Sequence, residues 1–351
     1  MLQSRYLIWL LTAFLIIAGC SPEPKKPGIY FWDQVYFPLT QKAKLPIDSF
    51  GSLYLRYFDV TWNATYNAAV PMPVYMYEYS DSSFYGNAIL IPVIHIENAV
   101  LEKTPFDSIL PLALNIIQKT ETISRNILTK TKKEWGREIQ YDCEWTPDTK
   151  EKYWELLKYL TGNQYGKQLT VTVTLAAFKD RTAYGIPPVT GAMLKCYDYG
   201  DTARPVTANA NLELEKLKTY FTDTSVYPLP LGMQFPVAAR FNLYRNGAFM
   251  GVPNLQSNIM SNGNLFMPTD GGSYILGADT TWAGTILKKG DLLKKAIIDP
   301  GVLANAVRYL KATLPQYDMI AFNNWNPPIT YRYDTIMRPL LQPKKLEASK
   351  K

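Results

Sequence analysis

Asp142 and Glu144 are the residues whose types and spacing best suit acid–base chemistry. They end the segment Gln140-Tyr141-Asp142-Cys143-Glu144, in which polar and apolar side chains alternate. Such alternation predicts a β-strand with both carboxylates on one face, about 6.5 Å apart along the strand. Close like charges raise one pKa, so that one carboxyl group stays protonated beside an ionised partner. We therefore expect Glu144 to act as a general acid and Asp142 to support it, as carboxylates do in glycoside hydrolysis.

A structural role for the same two carboxylates is an equally good interpretation. They would then pair with inward cations such as Arg56 or Lys195 and hold a polar interior together. Glu97 and Asp59 are further candidate carboxylates. The alternation of the strand around Asp59 places it opposite Arg56, unless a bulge intervenes.

Other side chains are candidates for binding a substrate. Aromatic rings near strand ends can stack on the apolar face of a sugar, whose hydroxyls then bind neighbouring polar groups. A tryptophan is more often part of a core, and only the recurrence after several strands favours binding. The predicted substrate-binding residues are Trp62, His95, Gln140, Trp145, Tyr197 and Trp325.

The composition narrows the remaining chemistry. One His and three Cys exclude a multi-histidine metal site and a disulfide scaffold, so we expect no metal and no cofactor. The sequence contains no G-x-S-x-G, G-x-G-x-x-G or H-E-x-x-H motif. Cys143 and Cys196 are expected to be buried free thiols. With 47% hydrophobic and 19% charged residues, the chain is that of a packed globular protein.

The elements that must position these residues alternate between strands and helices. This pattern predicts an α/β fold, an elaborated (β/α)8 TIM-type barrel, with a doubly wound open sheet and an antiparallel sandwich as alternatives. A loop is expected from Tyr244 to Gly272. The predicted strands are Leu53–Phe58, Leu90–Ile96, Glu138–Cys143, Leu169–Leu175, Ala192–Tyr197, Gly232–Ala238, Ser273–Gly277 and Met319–Phe322, and the clearest helices are Ser108–Asn126, Thr149–Leu160, Asn211–Phe221 and Pro300–Ala312.

The faces of the strands indicate what the barrel would enclose. If the apolar residues of each strand face the helices, the polar ones converge on a central space at the carboxyl ends of the strands. The residues expected there are His95, Glu97, Gln140, Asp142, Glu144 and Thr174.

The N-terminus resembles an export signal with a lipidation site. Arg5, an apolar run from Tyr6 to Ile17, and Ala18-Gly19-Cys20 predict a signal peptide over 1–19 with Cys20 lipidated, an uncleaved anchor helix being the alternative. Residues 20–28 form the expected tether, 29–341 a single barrel domain and 342–351 a basic disordered tail. The expected location is the bacterial cell envelope, on the outer membrane. The expected partners are this membrane and a glycan or glycoconjugate; despite the net charge of +7, no nucleic acid is expected.

Three segments together resemble a family of largely uncharacterised bacterial lipoproteins that is similar to TIM-barrel glycoside hydrolases. They are Gln140-Tyr141-Asp142-Cys143-Glu144-Trp145-Thr146, Gly185-Ile186-Pro187-Pro188-Val189 with Met193-Leu194, and Tyr227-Pro228-Leu229-Pro230-Leu231 with Phe235-Pro236.

Departures from the family pattern remove several polar groups that the resemblance places around the pocket. This sequence keeps Asp142 and Glu144, but the positions of an Arg, a His, a Gln and two Asp of the pattern carry Thr174, Ala176, Ala177, Thr190 and Gly232. Losing that many transition-state contacts would cripple an enzyme. The interpretation is an envelope-anchored, glycoside-hydrolase-like barrel that acts on or binds carbohydrate, with doubtful catalytic competence. The alternative is a structural or protein-interaction lipoprotein of an envelope complex.

Overall fold

The computed structural model describes residues 25–32, 50–73, 86–133, 135–164, 166–197, 212–222, 226–237, 240–251, 253, 263–269, 273–282, 285–296, 298–323 and 333–341. In chain order the strands are β1 (Gly28–Phe31), β2 (Ser52–Asn63), β3 (Ala68–Pro73), β4 (Ile89–Ile96), β5 (Glu138–Cys143), β6 (Gln168–Val173), β7 (Gly191–Lys195), β8 (Leu231–Pro236), β9 (Arg240–Arg245), β10 (Ala248–Gly251), β11 (Phe266–Pro268), β12 (Tyr274–Leu276), β13 (Thr280–Trp282), β14 (Thr285–Leu287), β15 (Leu292–Ala296) and β16 (Ile320–Asn323). The helices are α1 (Asn98–Lys103), α2 (Ile109–Thr131), α3 (Lys150–Asn163), α4 (Leu175–Lys179), α5 (Arg181–Tyr184), α6 (Leu214–Lys218), α7 (Pro300–Thr313) and α8 (Asp334–Leu341).

Eight parallel strands form a closed barrel, as predicted. Their order around the barrel is β1, β2, β4, β5, β6, β7, β8 and β16, and β1 pairs with both β2 and β16, which closes the ring. Closure and parallel pairing rule out the open sheet and the antiparallel sandwich. Short β3 pairs antiparallel with the far end of β2 and extends the sheet above the rim.

One predicted barrel strand is wrong and one was missed. Ser273–Gly277 contributes β12 to a separate antiparallel sheet, whereas the missing barrel strand is β1. β1 has only four residues, all buried, and it directly follows a proline-rich segment. Because β1 lacks alternating polar residues, its sequence resembles the end of a linker. Gly28, which was predicted to belong to the tether, is the first residue of this strand. The strand with Asp142 is therefore fourth in the barrel, not third.

The strand faces divide as the alternation predicted. In β5, Ile139, Tyr141 and Cys143 belong to the helix-facing core, which also contains Leu156 and Leu160 of α3. Cys143 and Cys196 are both buried free thiols, and burial raises the pKa of each, which suits packing better than reactivity. A smaller apolar cluster, containing Tyr30, Tyr54, Ile91, Val93, Met193, Met319 and Ala321, fills the inside of the barrel.

The described part of the predicted loop from Tyr244 to Gly272 includes strands β10 and β11, and both belong to a sheet formed between β8 and α7. This antiparallel sheet has the order β10, β9, β15, β12, β11 and its own small core. Asn246 and Gly247 link β9 to β10 with φ of 49° and 80°, the two positive angles that a tight type I′ hairpin requires.

The helices bear out most of the sequence signals. Asp299 caps α7 by accepting hydrogen bonds from the amides of Gly301 and Val302, with Pro300 in the first turn. Helix α6 is shorter than predicted. None of the helices within the described ranges combines the length and the apolar character needed to cross a membrane.

Candidate functional site

Asp142 lies at the centre of the barrel mouth. Its side chain is 7% exposed, and its carboxylate accepts a hydrogen bond of 2.5 Å from Thr172 Oγ1 on the neighbouring strand β6. His95 Nδ1, from the other neighbouring strand β4, lies 2.9 Å from Asp142 Oδ2. Strand register explains this contact, because His95 and Asp142 are paired across β4 and β5.

The pKa of Asp142 is lowered by a nearby positive charge and by hydrogen bonds. Burial alone would raise this pKa, but the Lys195 charge and the hydrogen bond from His95 outweigh it. Asp142 is therefore ionised near neutral pH and suits electrostatic stabilisation.

Lys195 lies between the two carboxylates at the end of β7. Its Nζ is 2.5 Å from Glu144 Oε1 and 3.9 Å from Asp142 Oδ1. The lysine side chain is 12% exposed and that of Glu144 is 52% exposed. Burial would lower the pKa of Lys195, but the nearby Asp142, Tyr197 and Glu144 outweigh burial and raise it. The structure thus contains the ion pairs expected if Asp142 and Glu144 have a structural role, and Lys195 is their cation.

This contact opposes the role predicted for Glu144. A general acid must hold a proton that it can give to a leaving group. In the structure, Glu144 accepts a hydrogen bond from an ammonium group that remains charged near neutral pH. The carboxylate that would donate the proton is used as the partner of a cation.

Arg56 and Asp59 form a second ion pair on the inner face of β2. Arg56 Nε and Nη2 donate to the two Asp59 oxygens at 2.7 and 2.5 Å. The bulge that this arrangement needs is present, since the register with β4 shifts between Arg56 and Phe58. The extra residue, Tyr57, is buried in the helix-facing core with Phe58, which returns Asp59 to the inner face.

His95 connects the two ion pairs. Burial would lower the pKa of His95, but its hydrogen bond to Asp142 and the charge of that carboxylate outweigh burial and raise it. The charge of Arg56 lowers the pKa of His95, and the charge of Asp59 raises it. We name the side chains Arg56, Asp59, His95, Asp142, Lys195 and Glu144 the charge chain.

Gln140 lies inside the barrel and is not exposed at the mouth. It is fully buried, and its Oε1 accepts a hydrogen bond of 2.6 Å from Tyr30 OH. Its role in substrate binding stays a prediction, since the structure shows only that the side chain is buried. Gln140 and the equally buried Gln234 of β8 each have amide atoms without a protein hydrogen-bond partner among the described residues.

Two of the tryptophans predicted to bind sugar pack in or against the helix-facing core, and their binding role stays a prediction. Trp145 is 2% exposed, contacts Tyr153 and Trp154, and donates from Nε1 to the Tyr184 carbonyl oxygen at 3.1 Å. Trp62 lies two residues after Val60 on β2 and therefore on the same side of the strand. On this side it packs against the helix-facing core. Trp325 lies outside the described residues.

The mouth nevertheless has two partly exposed aromatic side chains. Tyr197, as predicted, follows β7, and its hydroxyl accepts a hydrogen bond of 2.6 Å from Asn323 Nδ2. Trp32 was missed together with β1; its ring stacks on Tyr30, and Arg56 lies over it at 5.2 Å from the ring centroid. The run Ile29-Tyr30-Phe31-Trp32 was the signal that could have identified this strand.

Two polar residues expected inside the barrel belong to helix starts instead. Glu97 is exposed and immediately precedes α1. Thr174 caps α4 by accepting a hydrogen bond from the Ala177 amide. In both cases the strand ends one residue earlier, so the alternation no longer determines where the side chain points. Within the described ranges, no group of three or more His, Cys, Asp or Glu side chains is arranged to hold a metal ion.

Solved structures share the fold of this chain, whereas no protein-family model and no curated protein matches its sequence. A chitinase from Bacteroides thetaiotaomicron has a TM-score of 0.52 at 10% identity, over 93% of this chain and 100% of that one. The spore cortex-lytic enzymes SleL of Bacillus megaterium QM B1551 and Bacillus cereus each have a TM-score of 0.50, at 12% and 13% identity, over 92% of this chain and 76% of theirs. At such identities the similarity concerns the fold alone. The chain shares the TIM-barrel fold of these enzymes.

Proposed function

We propose that this chain is a lipid-anchored protein of the bacterial cell envelope whose barrel binds carbohydrate without hydrolysing it. The observation that carries the proposal is the 2.5 Å contact between Lys195 Nζ and Glu144 Oε1. In this contact the candidate proton donor, Glu144, is the ion-pair partner of a lysine. The barrel itself is closed.

The barrel mouth supports the binding part of the proposal. Trp32 and Tyr197 are partly exposed aromatic side chains at opposite ends of the charge chain. Between them lie ionised and hydrogen-bonding side chains, and this combination of an aromatic face with polar groups suits a sugar ring. The chitinase and cortex-lytic enzymes of similar fold favour a carbohydrate as the ligand class.

The anchoring part rests on the sequence. The apolar run before Ala18-Gly19-Cys20, followed by a polar and proline-rich segment, favours removal of the signal and lipidation of Cys20. Ser21 after the cysteine favours the outer membrane, by analogy with lipoprotein sorting in some bacteria.

Binding to a glycan panel tests the proposed function. The mature chain should bind at least one glycan and release no reducing ends from it. Trp32→Ala should weaken this binding by at least about tenfold, because a lost stacking platform costs ~1.5 kcal/mol or more. The matched control is Tyr66→Ala, an aromatic truncation at a site that is 74% exposed on the β2–β3 hairpin. Circular dichroism verifies that both variants are folded. Absence of binding to every glycan, or equal losses in both variants, would contradict the proposal.

A further inference from the structure

The end of the barrel opposite the mouth carries a basic surface. The residues that lead into parallel barrel strands all lie at this end, and we name the described ones the basal face. Its charged residues are Lys25, Lys26, Lys132, Lys133, Arg137, Lys167, Glu138 and Asp318.

Backbone hydrogen bonds make the basal face one continuous surface. They link neighbouring lead-in segments, from Gly51 to Pro27, from Ile89 to Gly51, from Gly136 to Leu90 and from Gln168 to Arg137, at 2.7 to 2.9 Å. Lysine side chains reinforce this arrangement, since Lys133 Nζ donates to Gly86 O and Lys167 Nζ to Gly136 O. The ammonium groups of Lys133 and Lys167 are thus fixed to neighbouring lead-in segments.

The two acidic residues do not balance this charge. Asp318 pairs with Lys25 at 2.5 Å. Glu138 points into the barrel, where it accepts a hydrogen bond from Thr170, and burial raises its pKa. The described part of the basal face therefore has an excess of positive charge, whereas at the mouth Arg56 is matched by Asp59 and Lys195 by Glu144.

The basal face is also the end from which the predicted tether leaves. Cys20 precedes Lys25 by five residues, which span at most ~17 Å when extended. Helix α2 alone, with 23 residues, is about 35 Å long. A lipid on Cys20 would therefore hold the basal face near the bilayer and could not reach around to the mouth.

We propose that the basal face docks on anionic phospholipid headgroups, so that the barrel mouth points away from the membrane. The tether argument rests on the lipidation of Cys20 in the proposed function, but the charge argument does not. Side chains suited to the interface lie among the basic residues. Ile89 is 56% exposed, and Trp135 is partly buried with Lys167 Nζ 3.9 Å from its ring centroid.

Vesicle sedimentation of the unlipidated mature chain tests this docking without the lipid. The chain from residue 20, with Cys20→Ser, keeps every described residue and is mixed with phosphatidylcholine vesicles that contain or lack phosphatidylglycerol. It should bind the anionic vesicles, and binding should fall as salt is raised. Because each basic residue near such a surface strengthens binding about fivefold, Lys26→Glu/Lys132→Glu/Arg137→Glu should lower the partition coefficient by at least about a hundredfold.

A variant with the same change in net charge is the matched control. Lys158→Glu/Lys179→Glu/Lys289→Glu reverses three exposed lysines outside the basal face and should lower binding much less. Equal losses in both variants, equal binding to neutral vesicles, or no binding would overturn the docking. Mass spectrometry of the N-terminal peptide from cells tests lipidation separately, so an unmodified Cys20 together with selective vesicle binding would reject the anchor and keep the docking.

Discussion

His95 is the residue at which the electrostatics of the barrel mouth can be measured most cleanly. It is the one histidine of the sequence, so its imidazole signals in a proton NMR spectrum need no assignment. The structure places it against Asp142 and raises its pKa despite burial. Its titration therefore reports directly on the charge chain.

We expect the His95 imidazole to titrate above its ordinary value of about 6.5. In Asp142→Asn the hydrogen-bonded negative charge is lost, so the pKa of His95 should fall below that of the wild type. An unchanged titration in this variant would show that Asp142 does not contact the ring in solution. Thr122→Val, an exposed hydroxyl removed from α2, is a control that should leave the titration unchanged.

The same shift has a consequence for stability. A group whose pKa is raised in the folded state stabilises that state fully at a pH below its unfolded-state pKa. This stabilisation is lost as the pH rises through the folded-state pKa. The free-energy advantage of the wild type over His95→Asn should therefore shrink from pH 6 towards pH 9. Urea unfolding of both proteins across this range measures it; an advantage that grows with pH would have the wrong sign for the contact described.

At the scale of elements, the sequence predicted those parts of the fold that have a clear alternation or a clear cap. The inner and outer faces of β5 follow from alternate residues, and the start of α7 from Asp299 and Pro300. It did not predict β1, whose four residues are all buried. It left the facing of Asp59 open, because a bulge is a matter of strand pairing and not of local composition.

The candidate site was predictable to a similar extent. His95 and Asp142 were placed in the mouth because they lie within strands, whereas Glu97 and Thr174 were misplaced because they follow strand ends. The pairing of Lys195 with Glu144 was one of two interpretations. Sequence could not choose, since the choice depends on distances across three strands.

The β9–β10 hairpin gives a prediction about backbone conformation. Gly247 has φ of +80° and open space where a Cβ would lie, so Gly247→Ala should destabilise this sheet by about 1 kcal/mol through strain alone. Gly162 near the end of α3 also has open space, but its φ is not positive, and Gly162→Ala should stabilise by up to ~1 kcal/mol. Thermal unfolding should show shifts of opposite sign, and shifts of the same sign would contradict the turn geometry.

At the scale of the whole molecule, the closed barrel separates two charged ends. The mouth contains the ion-paired charge chain, and the described part of the basal face has the basic excess beside the predicted tether. This polarity fits a protein that presents one end to a ligand and the other to a membrane. The charge chain lies on the inner side of the barrel strands, whereas the main apolar core lies on their outer side.

The proposed envelope anchor gives a prediction for the intact cell. The wild-type chain should fractionate with membranes and carry a lipid on Cys20, and Cys20→Ala should lose the lipid because no thiol remains to be acylated. Mass spectrometry of the N-terminal peptide measures this. A Ser21→Ala variant, changed at the neighbouring position, should still be lipidated. An unmodified Cys20 in the wild type would refute the anchor without affecting the barrel.

The most direct test of the central claim is the release of reducing ends from the glycan that the mature chain binds most tightly. We predict that the glycan binds and that reducing ends are not released above the background of buffer between pH 5 and 8. The reason is that Glu144 is ion-paired with Lys195. Glu144→Gln should then be indistinguishable from the wild type and from Glu151→Gln, a matched change at an exposed position of α3. Release by the wild type that is abolished in Glu144→Gln and retained in Glu151→Gln would contradict the account, since it would make Glu144 the working acid of an enzyme.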